Sequence, residues 1–131
     1  MVKEFISYEQ ALALKELGFD ETCMMNHYGN ERFHVGRLYL PSSFGKGRNS
    51  EMHDDSLRDG DVTAILYQQA FRWFREKHRL ISSIDISEEG TEQEHYFVTI
   101  STQGSYGYFK TYEEAELECL KKLIEIVKEK N

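Results

Sequence analysis

Thr111-Tyr-Glu-Glu114, followed by an apolar-periodic run to Val127, writes a long capped helix directly after a stretch of alternating aromatic residues. The Thr111 hydroxyl can accept from the amide of Glu114 while the Glu114 carboxylate reaches back to the Thr111 amide, which sets the helix start. The pattern continues from about Tyr112 to Lys128, roughly 26 Å at the standard rise. Tyr112, Ala115, Cys119, Leu120, Leu123 and Val127 form one stripe, widened by Leu117, Ile124 and Ile126. Burying each large member contributes ~1.5–3 kcal/mol, so a sheet, another helix or a second subunit must cover it.

Two further helices are written less fully. Ser7-Tyr-Glu-Gln10 is a second capping box, leading into Ala11, Leu12, Leu14 and Leu17 and closing at Gly18; it predicts a helix from about Tyr8 to Leu17. A middle helix is expected from about Ala64 to His78, capped by Thr63 or Asp61, with Ile65, Leu66, Ala70, Phe71, Trp73 and Phe74 as its apolar set. Three large aromatics within four positions put this helix at the centre of a core.

Strand signals fill the intervals. Thr22–Tyr28 and Arg32–Leu40 flank Gly29-Asn30, a tight-turn dipeptide, although alternation in the second segment is imperfect. Leu80–Ile86 and His95–Ser101 bracket an acidic turn containing Gly90, and Tyr106–Lys110 forms a third strand before the last helix. Between Pro41 and Asp61 the composition turns to Ser, Gly, Asn, Asp and charges, which predicts a long flexible loop at about 41–62. The order α-β-β-α-β-β-β-α lacks strand–helix alternation. The expected fold is therefore α+β: a single domain over 1–131 whose antiparallel sheet carries three helices mainly on one face.

Composition limits the setting. With 131 residues, 40% hydrophobic and 30% charged, the chain can bury roughly two thirds of its unfolded surface without staples. Cys23 and Cys119 lie far apart within apolar runs, which suits reduced buried thiols; a disulfide between them stays open. No apolar run reaches the ~20 residues of a membrane span and the N-terminus lacks a secretory core, so a cytoplasmic setting is expected. A net charge of -7 disfavours loose attraction to nucleic acid or anionic lipid.

The candidate binding residues are Arg72, Arg75, Lys77 and Arg79, the one cationic cluster of an acidic chain. Guanidinium forks there suit phosphate or an acidic partner. Equally, such residues form the solvated end of a helix, complement its dipole and pair with the Glu-rich turn from Glu88 to Glu94. His53–Asp61 offers oxygen and imidazole groups but fails the calcium-loop pattern: counted from Asp55, Leu57 takes the third position and Leu66 the twelfth. His27, His34 and His95 lack zinc-ligand spacing, and Gly45-Lys-Gly-Arg-Asn-Ser lacks Walker spacing. Neither cysteine has a nucleophile signature, and Ser42-Ser43 and Ser82-Ser83 have no elbow context. No cofactor, metal or catalytic residue is assigned.

From the middle helix onward the order α-β-β-β-α, with Gly104 and Gly107 near the last turn, resembles that of double-stranded RNA-binding domains. Those domains hold phosphate with lysines at the start of the last helix; here Glu113, Glu114 and Glu116 stand there and repel it. The segments Tyr8–Asp20, Tyr67–Lys77 and Tyr112–Val127 resemble short hypothetical proteins of Bacteroides-type gut bacteria and their phages or prophages. That resemblance implies a bacterial cytoplasm and a mobile-element origin, and brings no activity or ligand with it. The functional expectation is a small non-enzymatic domain that binds a protein partner or a second copy of itself. A nucleic-acid-associated accessory role through Arg72, Arg75, Lys77 and Arg79 is the alternative.

Overall fold

The computed structural model describes residues 4–21, 23, 25–27, 38–39, 49 and 62–130. The elements are α1 (Tyr8–Glu16), β1 (Met25–His27), β2 (Leu38–Tyr39), β3 (Val62–Ala64), α2 (Tyr67–His78), β4 (Ser82–Ser87), β5 (His95–Ile100), β6 (Gly104–Phe109) and α3 (Tyr112–Lys130). The fold is α+β with antiparallel pairing throughout, in two three-stranded sheets of order β2-β1-β3 and β4-β5-β6. The chain divides into two compact units, Met1–Leu66 and Tyr67–Asn131.

In the first unit, α1 begins where its cap dictates: the Ser7 hydroxyl accepts from the Gln10 amide at 3.4 Å. It ends in a Schellman arrangement around Gly18 at φ +100°, with the Gly18 amide donating to Lys15 (3.0 Å) and the Phe19 amide to Leu14 (2.9 Å). Leu14 and Phe19, brought together by that turn, are both fully buried. β1 is central, pairing Asn26 with Tyr39 on one side and with Thr63 on the other. The Gly29-Asn30 turn lies outside the described residues. An uninterrupted ladder from such a turn would oppose His27 to Arg32, whereas His27 pairs with Leu38.

The middle helix starts three residues later than its apolar pattern indicates. Val62–Ala64 is a strand, and Ile65 accepts from the Ile6 amide at 2.8 Å. Thr63 is therefore a ladder residue, not a cap, and Asp61 lies outside the described residues. A short apolar run before a helix reads equally as strand or helix, and pairing with β1 decided between them. Within the 41–62 stretch one described residue is buried: Asn49, which donates from Nδ2 to the Phe19 carbonyl (2.9 Å) and accepts at Oδ1 from the Thr63 amide (3.0 Å).

In the second unit α3 packs against β4, β5, β6 and α2. Its Thr111 cap forms (3.1 Å to the Glu114 amide), but the Glu114 carboxylate reaches one residue further back, to the Lys110 amide at 3.3 Å. The buried stripe is Ala115, Cys119, Leu120, Leu123, Ile124, Ile126 and Val127, together with Glu116; Tyr112 is 39% exposed. Both cysteines are buried, and no disulfide joins them. Trp73 and Phe74 of α2 are also buried, and the His78 ring lies edge-on to Trp73 at 4.9 Å.

The His78 Nε2 is buried with no hydrogen-bond partner among the described residues. Burial, then the Lys130 and Lys77 charges, hold its pKa below the ordinary 6.5. A base with a depressed folded pKa binds fewer protons than the unfolded chain, so stability present above about pH 6.5 falls as pH drops through the lowered value. Denaturant midpoints at pH 7.5 and 5 are expected to show this loss. Its shrinkage in His78→Gln, read by the single Trp73, is the check.

Candidate functional site

Alternation assigns the two faces of the second sheet. Val98 and Ile100 of β5 are fully buried on the face that α3 covers, and Tyr106 joins them there, its hydroxyl donating to the Glu118 carbonyl at 3.3 Å. Burial, then the Cys119 and Glu118 groups, push the Tyr106 phenol up to about 12. The opposite face presents Ser83, Asp85 and Ser87 of β4, His95, Phe97 and Thr99 of β5, and Ser105 and Tyr108 of β6.

Tyr106 and Tyr108, two apart, would share a face in a regular strand. They are separated by a bulge: Tyr96 opposes Phe109 but Val98 opposes Tyr106, so Gly107 and Tyr108 together stand opposite Phe97. Gly107 takes φ +101°, the glycine-type bulge conformation. The extra residue turns Tyr108 outward, where it is 50% exposed.

On that face Tyr108 stacks on His95 (4.0 Å, 17°), and His95 lies 6.5 Å from Phe97. The Gln93 carbonyl accepts from the Tyr108 hydroxyl at 3.2 Å and contacts His95 Nδ1 at 2.8 Å. A carbonyl can only accept, so Nδ1 carries the proton. The Thr99 and Ser105 hydroxyls are bonded at 2.8 Å, Ser83 donates to Asp85 at 3.3 Å, and the Lys110 ammonium stands 5.8 Å from the Tyr108 ring. Gln93 is itself held by a turn in which Thr91 bonds Glu88 and Gln93, and the Glu94 carboxylate accepts from Gly90.

Arg72, Arg75, Lys77 and Arg79 are all exposed. At about 100° per residue, Lys77 lies roughly 140° around α2 from Arg72, so the sequence cluster is not one helical face. Arg72 pairs with Glu76 at 3.9 Å. Arg79, beyond the helix, takes φ +57° as the Leu80 amide closes onto the Phe74 carbonyl. Among the described residues no ion pair joins Arg75, Lys77 or Arg79 to the Glu88–Glu94 turn, so that expected pairing is absent within the chain. α2 packs against α3, and the Lys130 charge acts on His78 at the end of α2. Cations there complement two helix dipoles.

Cys119 offers no nucleophile: burial raises its thiol to about 11, and Cys23 is buried with its thiol directed at the Glu21 carbonyl. Among the described residues no three His, Cys, Asp or Glu side chains gather as metal ligands. His34 and the His53–Asp61 segment lie outside the described residues. No described helix is long and apolar enough to cross a membrane. The His95–Tyr108 stack is not legible in the sequence, where its one signal is Gly107 interrupting an aromatic alternation. Compared with known proteins, the chain matches no protein-family model, no curated protein and no solved structure.

Proposed function

We propose that the chain is a small non-enzymatic protein-interaction domain that engages its partner through the open side of the β4-β5-β6 sheet. The observation that carries this reading is the row of His95, Phe97 and Tyr108 on the face α3 leaves uncovered. Rings already fixed by stacking and by the shared Gln93 carbonyl present contact area with little rotamer entropy left to lose. The neighbouring hydroxyls and Asp85 supply a polar rim. Two buried cysteines not joined in a disulfide support a reducing compartment such as the cytoplasm.

Affinity capture from the producing cells with the wild-type chain and with Tyr108→Ala and Asp85→Arg tests it. A defined protein should be recovered and bound roughly tenfold or more weakly by Tyr108→Ala, as expected for truncating an aromatic anchor. Undiminished capture by both variants, at unchanged melting temperature, would remove this surface from the function.

A further inference from the structure

The two edges of the second sheet are unlike. β6 is guarded by its bulge and by Gly104 and Gly107, whereas β4, Ser82–Ser87, is six residues long, unbulged, and free of Pro and Lys. Among the described residues no strand pairs with its outer side. The Ser101 amide donates to the Ile81 carbonyl, which fixes the phase of the ladder: residues 81, 83, 85 and 87 bond toward β5, so Ser82, Ile84 and Ile86 direct their amides and carbonyls outward. Natural sheets seldom leave such an edge unpartnered.

The charges on either side of β4 say what fits it. Arg75, Lys77 and Arg79 precede the strand and find no carboxylate in the Glu88–Glu94 turn of their own chain; Glu88 and Glu89 follow it. An antiparallel copy of β4 brings its acidic end beside this basic end, twice over by symmetry, whereas a parallel copy opposes like to like.

We propose that the β4 edge is a homodimer interface, pairing with β4 of a second copy to make one continuous six-stranded sheet. This rests on the reading of the chain as an interaction domain and names one partner for it. The phase of the outward groups admits a register in which Ile84 faces Ile84 of the other copy and Ser82 faces Ile86. That register exchanges six backbone hydrogen bonds and sets Ser83 across from Asp85. Shifting it by two residues in one direction opposes Asp85 to itself, and in the other sets Ile86 against Leu80, outside the strand, so the first register is selected. Arg79 then lies toward Glu88 and Glu89 of the partner subunit.

Light scattering and sedimentation of the full chain over a wide concentration range, with amide hydrogen exchange, test this. A dimer is expected in which the amides of Ser82, Ile84 and Ile86 gain protection with concentration while those of Ser83, Asp85 and Ser87 do not change. Arg79→Glu and Glu89→Arg alone should each weaken the dimer about tenfold, and the double variant should restore it. Ile84→Pro, which removes an outward amide and leaves the bonds to β5, should give a folded monomer by circular dichroism. The swap decides the case if that variant misfolds. A strict monomer, or a dimer indifferent to the charge swap with unchanged β4 exchange, overturns the proposal. Capture of another protein through Tyr108 would still stand in either case, since that surface is tested separately.

Discussion

Asn49→Ala is expected to cost the first unit about 2–5 kcal/mol, because two buried backbone groups each lose a hydrogen bond at once. The Asn49 amide nitrogen satisfies the Phe19 carbonyl and its oxygen satisfies the Thr63 amide, so one side chain ties the turn after α1 to β3. Phe19 is 1% exposed and Thr63 0%, so water cannot take over both bonds without opening the core. Asn49→Asp should be no milder: it keeps an acceptor for Thr63 but points a carboxylate at a carbonyl. Thr63→Val is the contrast. Its hydroxyl is buried with no partner among the described residues, so replacing it by a methyl should be nearly neutral. Urea midpoints decide the matter, and an Asn49→Ala change within about 0.5 kcal/mol would show that the bridge contributes nothing net.

Gly107→Ala should destabilise the second unit by about 2–4 kcal/mol, combining strain at a left-handed position with overpacking. A Cβ built on Gly107 collides with the Phe109 ring, and its backbone sits at φ +101°. Gly18→Ala isolates the two effects, since Gly18 has almost the same φ, +100°, with nothing near its missing Cβ. That variant should lose only about 1 kcal/mol, from strain alone. Equal losses in the two would mean that Phe109 moves aside freely. Beyond stability, Gly107→Ala should disturb the register that turns Tyr108 outward, so exchange at β6 and the environment of the His95 ring should change together.

Where local chemistry and short-range spacing decide structure, the sequence was legible. The caps at Ser7 and Thr111 and the Schellman end at Gly18 depend on residues within one or two helical turns of each other, and all form, as does the apolar stripe of α3 apart from Tyr112 and Leu117. The strands flanking the acidic turn were readable for the same reason. The start of α2 was not: Thr63, Ala64 and Ile65 satisfy helix and strand patterns equally, and their pairing with β1 and Ile6 is non-local. Composition marked residues 41–62 as loop, yet burial of Asn49 depends on two backbone groups 30 and 14 residues away. The candidate site was the least legible part. Arg72, Arg75, Lys77 and Arg79 stand out in sequence, but helical geometry disperses them, while the aromatic row draws on two strands and a turn.

By itself, then, the sequence determined three helices, an antiparallel α+β architecture and the acidic character of the β4–β5 turn, because each follows from periodicity, capping or composition within a short window. Only the tertiary structure decided that Tyr106 and Tyr108 serve opposite faces, that Asn49 pins the first unit, and that β4, between a basic and an acidic end, has no strand on its outer side among the described residues. Register, bulge position and the pairing of buried polar groups are set by partners distant along the chain. One shifted residue in a strand reverses every face it presents.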